Sequence, residues 1–500
     1  MRQKRDRGGA PGARPAMGFV LLIIAVLVGG AAADQVTFRD ARIAAEYWIR
    51  HTEEKDGSWG GAHGASVDAL REIREMDRVL GYVATVEPRG YIVISSLKEL
   101  APVKAFSVSS SIDIDGDLGM APVIRSSLSR TLAGVEARFG PLEDLAAVDL
   151  GRVVERDHRC DWDRILRGEK IDYSTGQILL RSNWHQDPPY NEACPDMGCY
   201  PPYNGRAVVG CVGTAASQIM FYYCWPPYGH GDVCGDAYDW VSMRDTVSGA
   251  SEEPIRAATA ELCYEAGKAA DTEYGCNTSS AWLGEAAGSD MTDAYINNFR
   301  YNSETDFETR WHWSTEGWYD MIKTNLDANR PLQYGYLGER DGGIAAHSMV
   351  CDGWYEAGQS RMVHMNYGWG DSYNDWYEID DLHNVGWDEW EGLIRKIKPN
   401  VSEGSWIEAG SHDPSASEFP PYVYFEQDAY GDDAVYEAGY LAQFLPGRTV
   451  SCVSTTGGTI DFLGSSASAT LLFSRGDLSK GIRIRGGALR VHPNGFMKVH

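Results

Sequence analysis

Residues 205–220 read Gly-Arg-Ala-Val-Val-Gly-Cys-Val-Gly-Thr-Ala-Ala-Ser-Gln-Ile-Met, and this stretch decides the fold. Apolar residues follow the i, i+3, i+4, i+7, i+8 spacing of a buried helical face, namely Val212, Ala215, Ala216, Ile219, Met220 and Tyr223. Cys211 therefore falls in the first helical turn, where unpaired N–H groups and the helix dipole favour a thiolate. The sequence predicts a nucleophilic cysteine.

Two predicted strands downstream carry the polar residues that a thiolate nucleophile needs. Residues 345–354 contain His347, residues 362–370 contain Asn366, and the seven residues between them allow antiparallel pairing. We expect the Asn366 side-chain oxygen to hold one ring N–H of His347 while the other ring nitrogen faces Cys211. His364 on the same strand is the alternative polar residue, and either side chain could simply pack.

Several motifs, in this order along the chain, resemble the streptopain family of secreted bacterial cysteine peptidases, which have a papain-like fold and are made as zymogens. The matching segments are 179–186, 189–195, 205–220, 346–353 and 366–370. His347 follows Cys211 by 136 residues (347 − 211), within the interval of roughly 130–150 residues typical of papain-like enzymes. The resemblance covers about residues 177–398 and, more weakly, residues 90–107 in the preceding region.

The resemblance implies a role for five residues. Cys211 would be the nucleophile, and His347 the general base that then acts as an acid. Gln186 would donate to the oxyanion, an interaction worth on the order of 3–4 kcal/mol where such donors have been removed. Asn366 and Trp369 would orient and shield the imidazole.

Three positions depart from the family pattern. Tyr367 follows Asn366 where the family usually has Trp, and Ala345 lies where Gly is common. Gly213 replaces Ala in the predicted nucleophile helix, at a cost of about 1 kcal/mol for a helix interior. None of these changes removes a group that the chemistry requires.

Composition shifts divide the chain into four parts and predict an α+β protein overall. Residues 1–33 combine a basic start, an apolar run and Ala31-Ala32-Ala33, as in a cleaved export signal. Residues 34–175 are expected to form a small α+β inhibitory pro-domain, and residues 176–400 the papain-like domain. Short strand-like runs near ten residues apart predict an all-β domain at 401–500, either a sandwich or a small solenoid.

The junction between pro-domain and catalytic domain is expected near residues 160–176. Residues 157–175 are highly charged, poor in apolar side chains and followed by Gly176, which predicts a segment that proteases can reach. The chain is expected to be cut here during maturation.

The composition and motifs of the chain limit the classes of partner and cofactor that it could bind. The formal net charge of −26 argues against nucleic-acid binding, because phosphate contacts require the opposite sign. No second stretch could span a membrane after signal removal, and no H-E-x-x-H or paired C-x-x-C motif suggests a metal or cofactor. Ten cysteines in an exported chain predict disulfides, and Cys194–Cys199 is the first expectation.

The functional prediction is a secreted or cell-surface cysteine endopeptidase that acts on proteins or peptides and is inhibited by its own pro-domain. One alternative is a catalytically silent papain-like module that binds a host or matrix protein. Another retains the Cys211 acyl-enzyme but transfers the acyl group to an amine instead of water.

Overall fold

The computed structural model describes most of the first 400 residues and six short strands beyond them. The described ranges are 34–116, 119–142, 156–202, 204–223, 225–226, 229–231, 234–235, 238–240, 242–285, 288–340, 343–379 and 390–400, together with 422–425, 433–437, 441–444, 459–463, 470–473 and 488–491. The signal predicted at residues 1–33 lies outside these ranges.

Among its described residues, the first part of the chain contains α1, four strands and two further helices, followed by a short strand. These elements are α1 (Phe38–Asp56), β1 (Ser66–Glu75), β2 (Arg78–Glu87), β3 (Tyr91–Ser95), β4 (Val103–Ser107), α2 (Met120–Phe139), α3 (Arg159–Leu166) and β5 (Tyr173–Thr175). The predicted hairpin around Pro88-Arg89-Gly90 is confirmed, since β2 pairs with β3 in antiparallel register. Thr37 begins α1 with a capping box that it shares with Asp40.

The second part begins with helices and ends with a set of antiparallel strands. Its elements are β6 (Asp196–Cys199), β7 (Gly205–Arg206), α4 (Cys211–Tyr223), α5 (Glu253–Ala269), α6 (Met291–Asn297), β8 (Asp306–Thr309), a 3-10 turn (Arg310–His312), α7 (Thr315–Asp327), β9 (Leu332–Arg340), β10 (Gly343–Ala357), β11 (Ser360–Asn366), β12 (Asp375–Glu378) and β13 (Trp390–Arg395). Helices before strands make this an α+β arrangement, as expected.

One sheet runs through both parts. Its strand order is β1-β2-β3-β4-β12-β11-β10-β9-β13-β8, with β5 added beside β10. The two parts join where β4 pairs with β12, through Trp376 opposite Phe106 and Tyr377 opposite Ala105. The N-terminal part is therefore hydrogen-bonded into the sheet that carries His347.

Helix α4 is buried on every side, whereas the sequence pattern predicted one buried face. All residues from Val212 to Tyr223 are buried, as expected of a helix in the centre of a large core. Gly213 faces α5, where an added Cβ would lie 3.2 Å from the Cys263 carbonyl oxygen and 3.3 Å from Gly267 Cα. The glycine thus lets the two helices approach closely.

Residues 157–175, where a boundary that proteases can reach was expected, contain both regular secondary structure and exposed residues. Residues 159–166 form α3, and the fully buried Trp162 ring donates to the Leu100 carbonyl oxygen. Residues 173–175 form β5, paired with β10. Residues 167–170 form an exposed run between α3 and the buried Ile171, and residues 172–175 are exposed as well. Trp162 and Ile165 are buried in the same core cluster as residues of α1, and burial of these two side chains holds α3 in place.

The C-terminal strands pair in parallel. They are β14 (Tyr422–Phe425), β15 (Asp433–Glu437), β16 (Leu441–Phe444), β17 (Thr459–Leu463), β18 (Thr470–Phe473) and β19 (Ala488–Val491). The order β14-β16-β18-β19 forms one sheet and β15-β17 another. Parallel pairing is typical of a solenoid, whereas the strands of a sandwich are antiparallel, and both architectures were expected alternatives.

Among the residues that the structure describes, no helix combines the length and apolar character needed to cross a bilayer.

Candidate active site

The backbone immediately before α4 places Cys211 at the start of the helix. Gly210 has φ +89°, and an added Cβ would lie 2.8 Å from the Ser279 carbonyl oxygen, so glycine is required there. The Gly210 carbonyl accepts from the Thr214 backbone N–H at 3.0 Å and from its hydroxyl at 2.9 Å. Cys211 is the first residue of α4, as predicted, and it is partly exposed.

The Cys211 thiol lies against the strand that carries His347. Burial raises the pKa of this thiol, and backbone N–H groups of Ser348, Val212 and Cys211 oppose that rise by hydrogen bonding to the sulfur. Ser348 directly follows His347 on β10. The start of α4 therefore lies beside the part of β10 that carries His347.

The His347 ring is oriented by a backbone group. Its Nε2 lies 2.9 Å from the Tyr367 carbonyl oxygen. A carbonyl can only accept a hydrogen bond, so Nε2 carries the proton and Nδ1 of the neutral ring carries the lone pair. Burial lowers the pKa of His347 to about 4, and the bond to Tyr367 acts in the opposite direction.

The expected bond from His347 to the Asn366 side chain is wrong. The register of β10 and β11 sets Asn366 opposite Val350, three residues beyond His347, and side chains alternate along a strand. The Asn366 amide instead donates to the Ser182 carbonyl oxygen at 2.7 Å. Its oxygen accepts from Gln218 Nε2 and the Gly368 N–H, each at 3.1 Å. Asn366 therefore supports the turn after β11, and its hydrogen bonds go to groups other than the imidazole.

Aromatic rings cover the imidazole. The Trp369 ring centroid is 4.6 Å from that of His347, and the Tyr367 ring stacks on it at 5.4 Å with an interplanar angle of 8°. Tyr373 meets the edge of Trp369 at 5.9 Å. On its other side Tyr373 abuts Gly119, where an added Cβ would lie 2.4 Å from the Tyr373 hydroxyl. The N-terminal part thus reaches His347 through two aromatic rings.

The segment that carries Gln186 is fixed beside the nucleophile. The Gln186 carbonyl accepts from the Val209 N–H at 3.0 Å, two residues before Cys211. On the other side, the Gly370 N–H donates to the Trp184 carbonyl at 3.1 Å. Residues 184–186 therefore lie between the start of α4 and the turn that carries Trp369, and the Gln186 side chain is partly exposed.

His364 belongs to a separate buried cluster. Burial lowers the pKa of His364, but the Asp352 carboxylate 2.6 Å from Nδ1 and the nearby Asp375 outweigh it, so the net pKa is raised. The Leu180 N–H also donates to Asp352. This cluster fixes the segment around Leu180 against β10 and β11.

Sequence reasoning missed the buried amides that support the site. Gln218 lies seven residues after Cys211 on α4, fully buried, and its oxygen accepts from the Trp184 N–H at 3.0 Å. Gln333 lies on β9 and is also fully buried. A glutamine within an otherwise apolar helix or strand is the signal that could have identified both residues, because an amide is buried only where it is hydrogen-bonded.

The expected Cys194–Cys199 disulfide is wrong. Cys199 is bonded to Cys276, 77 residues away, and Cys194 is a buried free thiol. Cys199 ends β6, where it pairs with Gly205 of β7, and its sulfur is bonded to the loop around residue 276. That loop contacts the approach to the nucleophile, because the Val208 N–H donates to the Gly275 carbonyl at 3.1 Å.

Comparison with known proteins finds similarity to cysteine peptidases. Residues 184–377 match the Peptidase C10 family. Streptopain of Streptococcus pyogenes is 24% identical over 390 residues, which are 72% of this chain and 89% of streptopain. The thiol protease/hemagglutinin PrtT of Porphyromonas gingivalis is 29% identical over 218 residues, 40% of this chain and 23% of that protein.

Two solved structures from Prevotella intermedia are also similar. A prointerpain A fragment is 22% identical, with a TM-score of 0.46, covering 67% of this chain and 99% of the fragment. Active interpain A cysteine protease is 28% identical, with a TM-score of 0.38, covering 45% of this chain and 95% of the other. Residues 184–377 therefore match the peptidase C10 family, and the similarity to streptopain supports a cysteine peptidase.

Proposed function

We propose that this protein is an exported cysteine endopeptidase made as a zymogen, with Cys211 as the nucleophile and His347 as the general base. The observation that carries the proposal is the orientation of the His347 ring. Because Nε2 donates to the Tyr367 carbonyl, Nδ1 is the nitrogen able to take a proton from the thiol. The Ser348 N–H bond to the Cys211 sulfur supports the same pairing.

The chemistry then follows in two steps. The Cys211 proton passes to His347 Nδ1 while the sulfur bonds to the substrate carbonyl carbon, and the oxyanion accepts from the Cys211 N–H and the Gln186 side-chain amide. Nδ1–H protonates the amine as the C–N bond breaks, which leaves a thioester. Water gives a proton to Nδ1, adds to the thioester and releases the carboxylic acid and the thiol.

The covered state of the site supports a zymogen. The raised pKa of Cys211 and the pKa of about 4 for His347 both favour neutral side chains, whereas attack requires thiolate character. The contact from Gly119 through Tyr373 to Trp369 supports the N-terminal part, residues 34–175, as an intramolecular inhibitor. Removal of that part would return water to the site and weaken the burial that opposes ionisation.

Residues 167–170 are the proposed maturation segment. They are exposed, whereas the preceding α3 is anchored by Trp162 and Ile171 follows as a buried residue. β5 pairs with β10, and the Gly358 N–H in the turn after β10 donates to the Asp172 carbonyl at 2.9 Å. A cut here would leave β5 with the catalytic part, so the proposed boundary lies before residue 171 rather than at 175.

The first experiment compares the full chain with Cys211→Ala and Cys160→Ala. Cys160 is exposed and outside the site, so it serves as a matched control. We expect Cys211→Ala to abolish casein cleavage, self-processing and labelling by a thiol-trapping epoxide, and Cys160→Ala to retain all three. Mass spectrometry over time should show wild-type cleavage within residues 166–171.

Each alternative has its own signature in the same experiment. Full turnover by Cys211→Ala would overturn the catalytic assignment. Absence of epoxide labelling in the processed wild-type chain would favour the silent binding module. Capture of the acyl group by an added amine in preference to water would favour acyl transfer over hydrolysis. A first cut outside 166–171 would overturn the proposed maturation segment alone.

A further inference from the structure

Gln333 is a fully buried polar side chain on the strand next to β10. Its Nε2 donates to the Val212 carbonyl oxygen at 3.0 Å and to the Ser348 hydroxyl at 3.1 Å. Its Oε1 accepts from the Tyr295 hydroxyl at 2.9 Å. The amide thus uses both N–H groups and its oxygen, which offsets the cost of burying it among apolar neighbours.

The two groups that Gln333 bonds are the immediate neighbours of the reacting residues. Val212 follows Cys211 on α4, and Ser348 follows His347 on β10. A single rigid amide therefore joins the helix that carries the nucleophile to the strand that carries the base. The backbone N–H of Ser348 also acts on Cys211, since it lowers the pKa of the thiol against the effect of burial.

Apolar packing alone would not fix this separation. Contacts between aliphatic side chains are non-directional, so they define the angle between a helix and a sheet less sharply than hydrogen bonds do. Hydrogen bonds from a planar amide constrain both distance and angle. Geometry at this scale matters, because a displacement of about 1 Å can reduce turnover by about 100-fold.

Tyr295 determines which way the amide is turned. A phenol at Oε1 donates its proton, so the carbonyl side of Gln333 must face α6 and the NH₂ side must face Val212 and Ser348. Tyr295 is itself fully buried on α6. The amide consequently has one satisfied orientation, which is what a positioning group requires.

We propose that Gln333, held in orientation by Tyr295, is a positioning residue that fixes Cys211 and Ser348 relative to each other and so sets the geometry of the Cys211–His347 pair. This inference rests on the proposed function, because it assumes that Cys211 and His347 react. It extends that function to a residue that touches neither substrate nor the reacting atoms.

The test uses the full chain, processed by a trace of wild-type enzyme, as Gln333→Met, Tyr295→Phe and Asn325→Leu. Methionine keeps the length and volume of the side chain but cannot donate. Asn325 is a buried amide on α7 that bonds Met321 O and the Lys396 N–H, so its variant controls for loss of a buried amide elsewhere. Circular dichroism and thermal unfolding select variants that are folded.

We expect Gln333→Met to lower kcat by about 10- to 100-fold with KM changed less than about threefold. Tyr295→Phe should give a smaller loss of the same kind, and Asn325→Leu should retain kcat. The rate of alkylation of Cys211 by iodoacetamide should shift to higher pH in Gln333→Met, because the Ser348 N–H no longer holds the thiolate. Asn325→Leu should keep the wild-type profile.

The outcomes separate this inference from the proposed function. If Cys211→Ala is inactive while Gln333→Met keeps wild-type kcat and an unchanged alkylation profile, the positioning role is overturned and the catalytic assignment stands. If Asn325→Leu loses as much kcat as Gln333→Met at equal stability, the effect of Gln333 is general destabilisation. If Cys211→Ala is active, the proposed function itself fails.

Discussion

At the scale of single residues, the Tyr367 backbone carbonyl orients the His347 ring, where the Asn366 side chain was expected to do so. The bond from His347 Nε2 to the Tyr367 carbonyl does not depend on which side chain residue 367 carries. This explains how Tyr can stand where related enzymes have Trp without loss of the ring orientation. The tryptophan cover is supplied from residue 369.

The role of Asn366 gives a test at this scale. Asn366→Ala leaves the Ser182 carbonyl and the Gln218 amide without a buried partner, so the free energy of unfolding should fall by about 1–3 kcal/mol. The pH at which kcat/KM loses half its value on the acid side should not move, because the imidazole keeps its Tyr367 partner. Denaturant unfolding and a pH–rate profile measure the two effects.

Asn325→Ala is the control for this variant, since it also removes a buried amide but lies outside the site. It should lose stability with an unaltered rate profile. A displaced acid limb in Asn366→Ala alone would show that the asparagine acts on the imidazole after all.

At the scale of elements, the close contact between α4 and α5 reverses the effect on stability expected from helix propensity at Gly213. Replacing Gly213 by Ala should gain about 1 kcal/mol from helix propensity. The added methyl group, however, would press on the α5 backbone at 3.2–3.3 Å, and overpacking of this kind costs about 1–3 kcal/mol. We expect Gly213→Ala to lower the midpoint of thermal unfolding and to reduce kcat.

Gly249→Ala is the matched control, because nothing lies within 4 Å of its added Cβ. Its stability should change by less than about 0.5 kcal/mol. If Gly213→Ala were more stable than the wild type, the α5 backbone would have shifted to accommodate the added methyl group, and the expected overpacking would be contradicted.

The elements also show what sequence could and could not provide. Helix α4, the β2–β3 hairpin and the β10–β11 pair were predictable, because periodicity and short connections are local signals. The register that sets Asn366 opposite Val350 was not, since a shift of one residue is decided by packing across the sheet. The Cys199–Cys276 disulfide was not predictable, because it joins two loops that are distant in sequence. Helix α3 was not predictable either, because only a few apolar residues in a charged segment hold it in place.

At the scale of the whole molecule, His51 connects the N-terminal part to β10. It lies on α1, is 4% exposed, and hydrogen-bonds the Tyr355 hydroxyl. Burial, and then Lys55, lower the pKa of His51 to about 4 from 6.5. The other groups around it are Tyr47, Trp48, Tyr173, Glu54, Asp56 and Lys170.

Acid should therefore loosen this contact. A histidine whose pKa is lowered in the folded state must stay neutral there. Its full contribution to folding stability is present above pH 6.5, and that stability is lost as the pH falls towards 4. We expect self-processing of the wild type to accelerate over that interval and His51→Gln to accelerate less. The rate of appearance of the mature band at each pH is the measurement.

His63→Gln is the control, because His63 is exposed and lies on the same N-terminal part. It should keep the wild-type response to pH. Equal acceleration in His51→Gln and wild type would assign the acid response to other groups.

The shared sheet has a consequence for what a cut can achieve. Cleavage at 167–170 breaks one peptide bond, but the β4–β12 ladder and the packing around α1 remain, so the nicked halves should stay together until they separate by dissociation. Once they separate, β12 becomes an open edge with unpaired N–H and C=O groups, the kind of surface to which an extended chain adds. The released fragment can return to that edge, and we therefore expect freed pro-domain to inhibit mature enzyme in a saturable, concentration-dependent way.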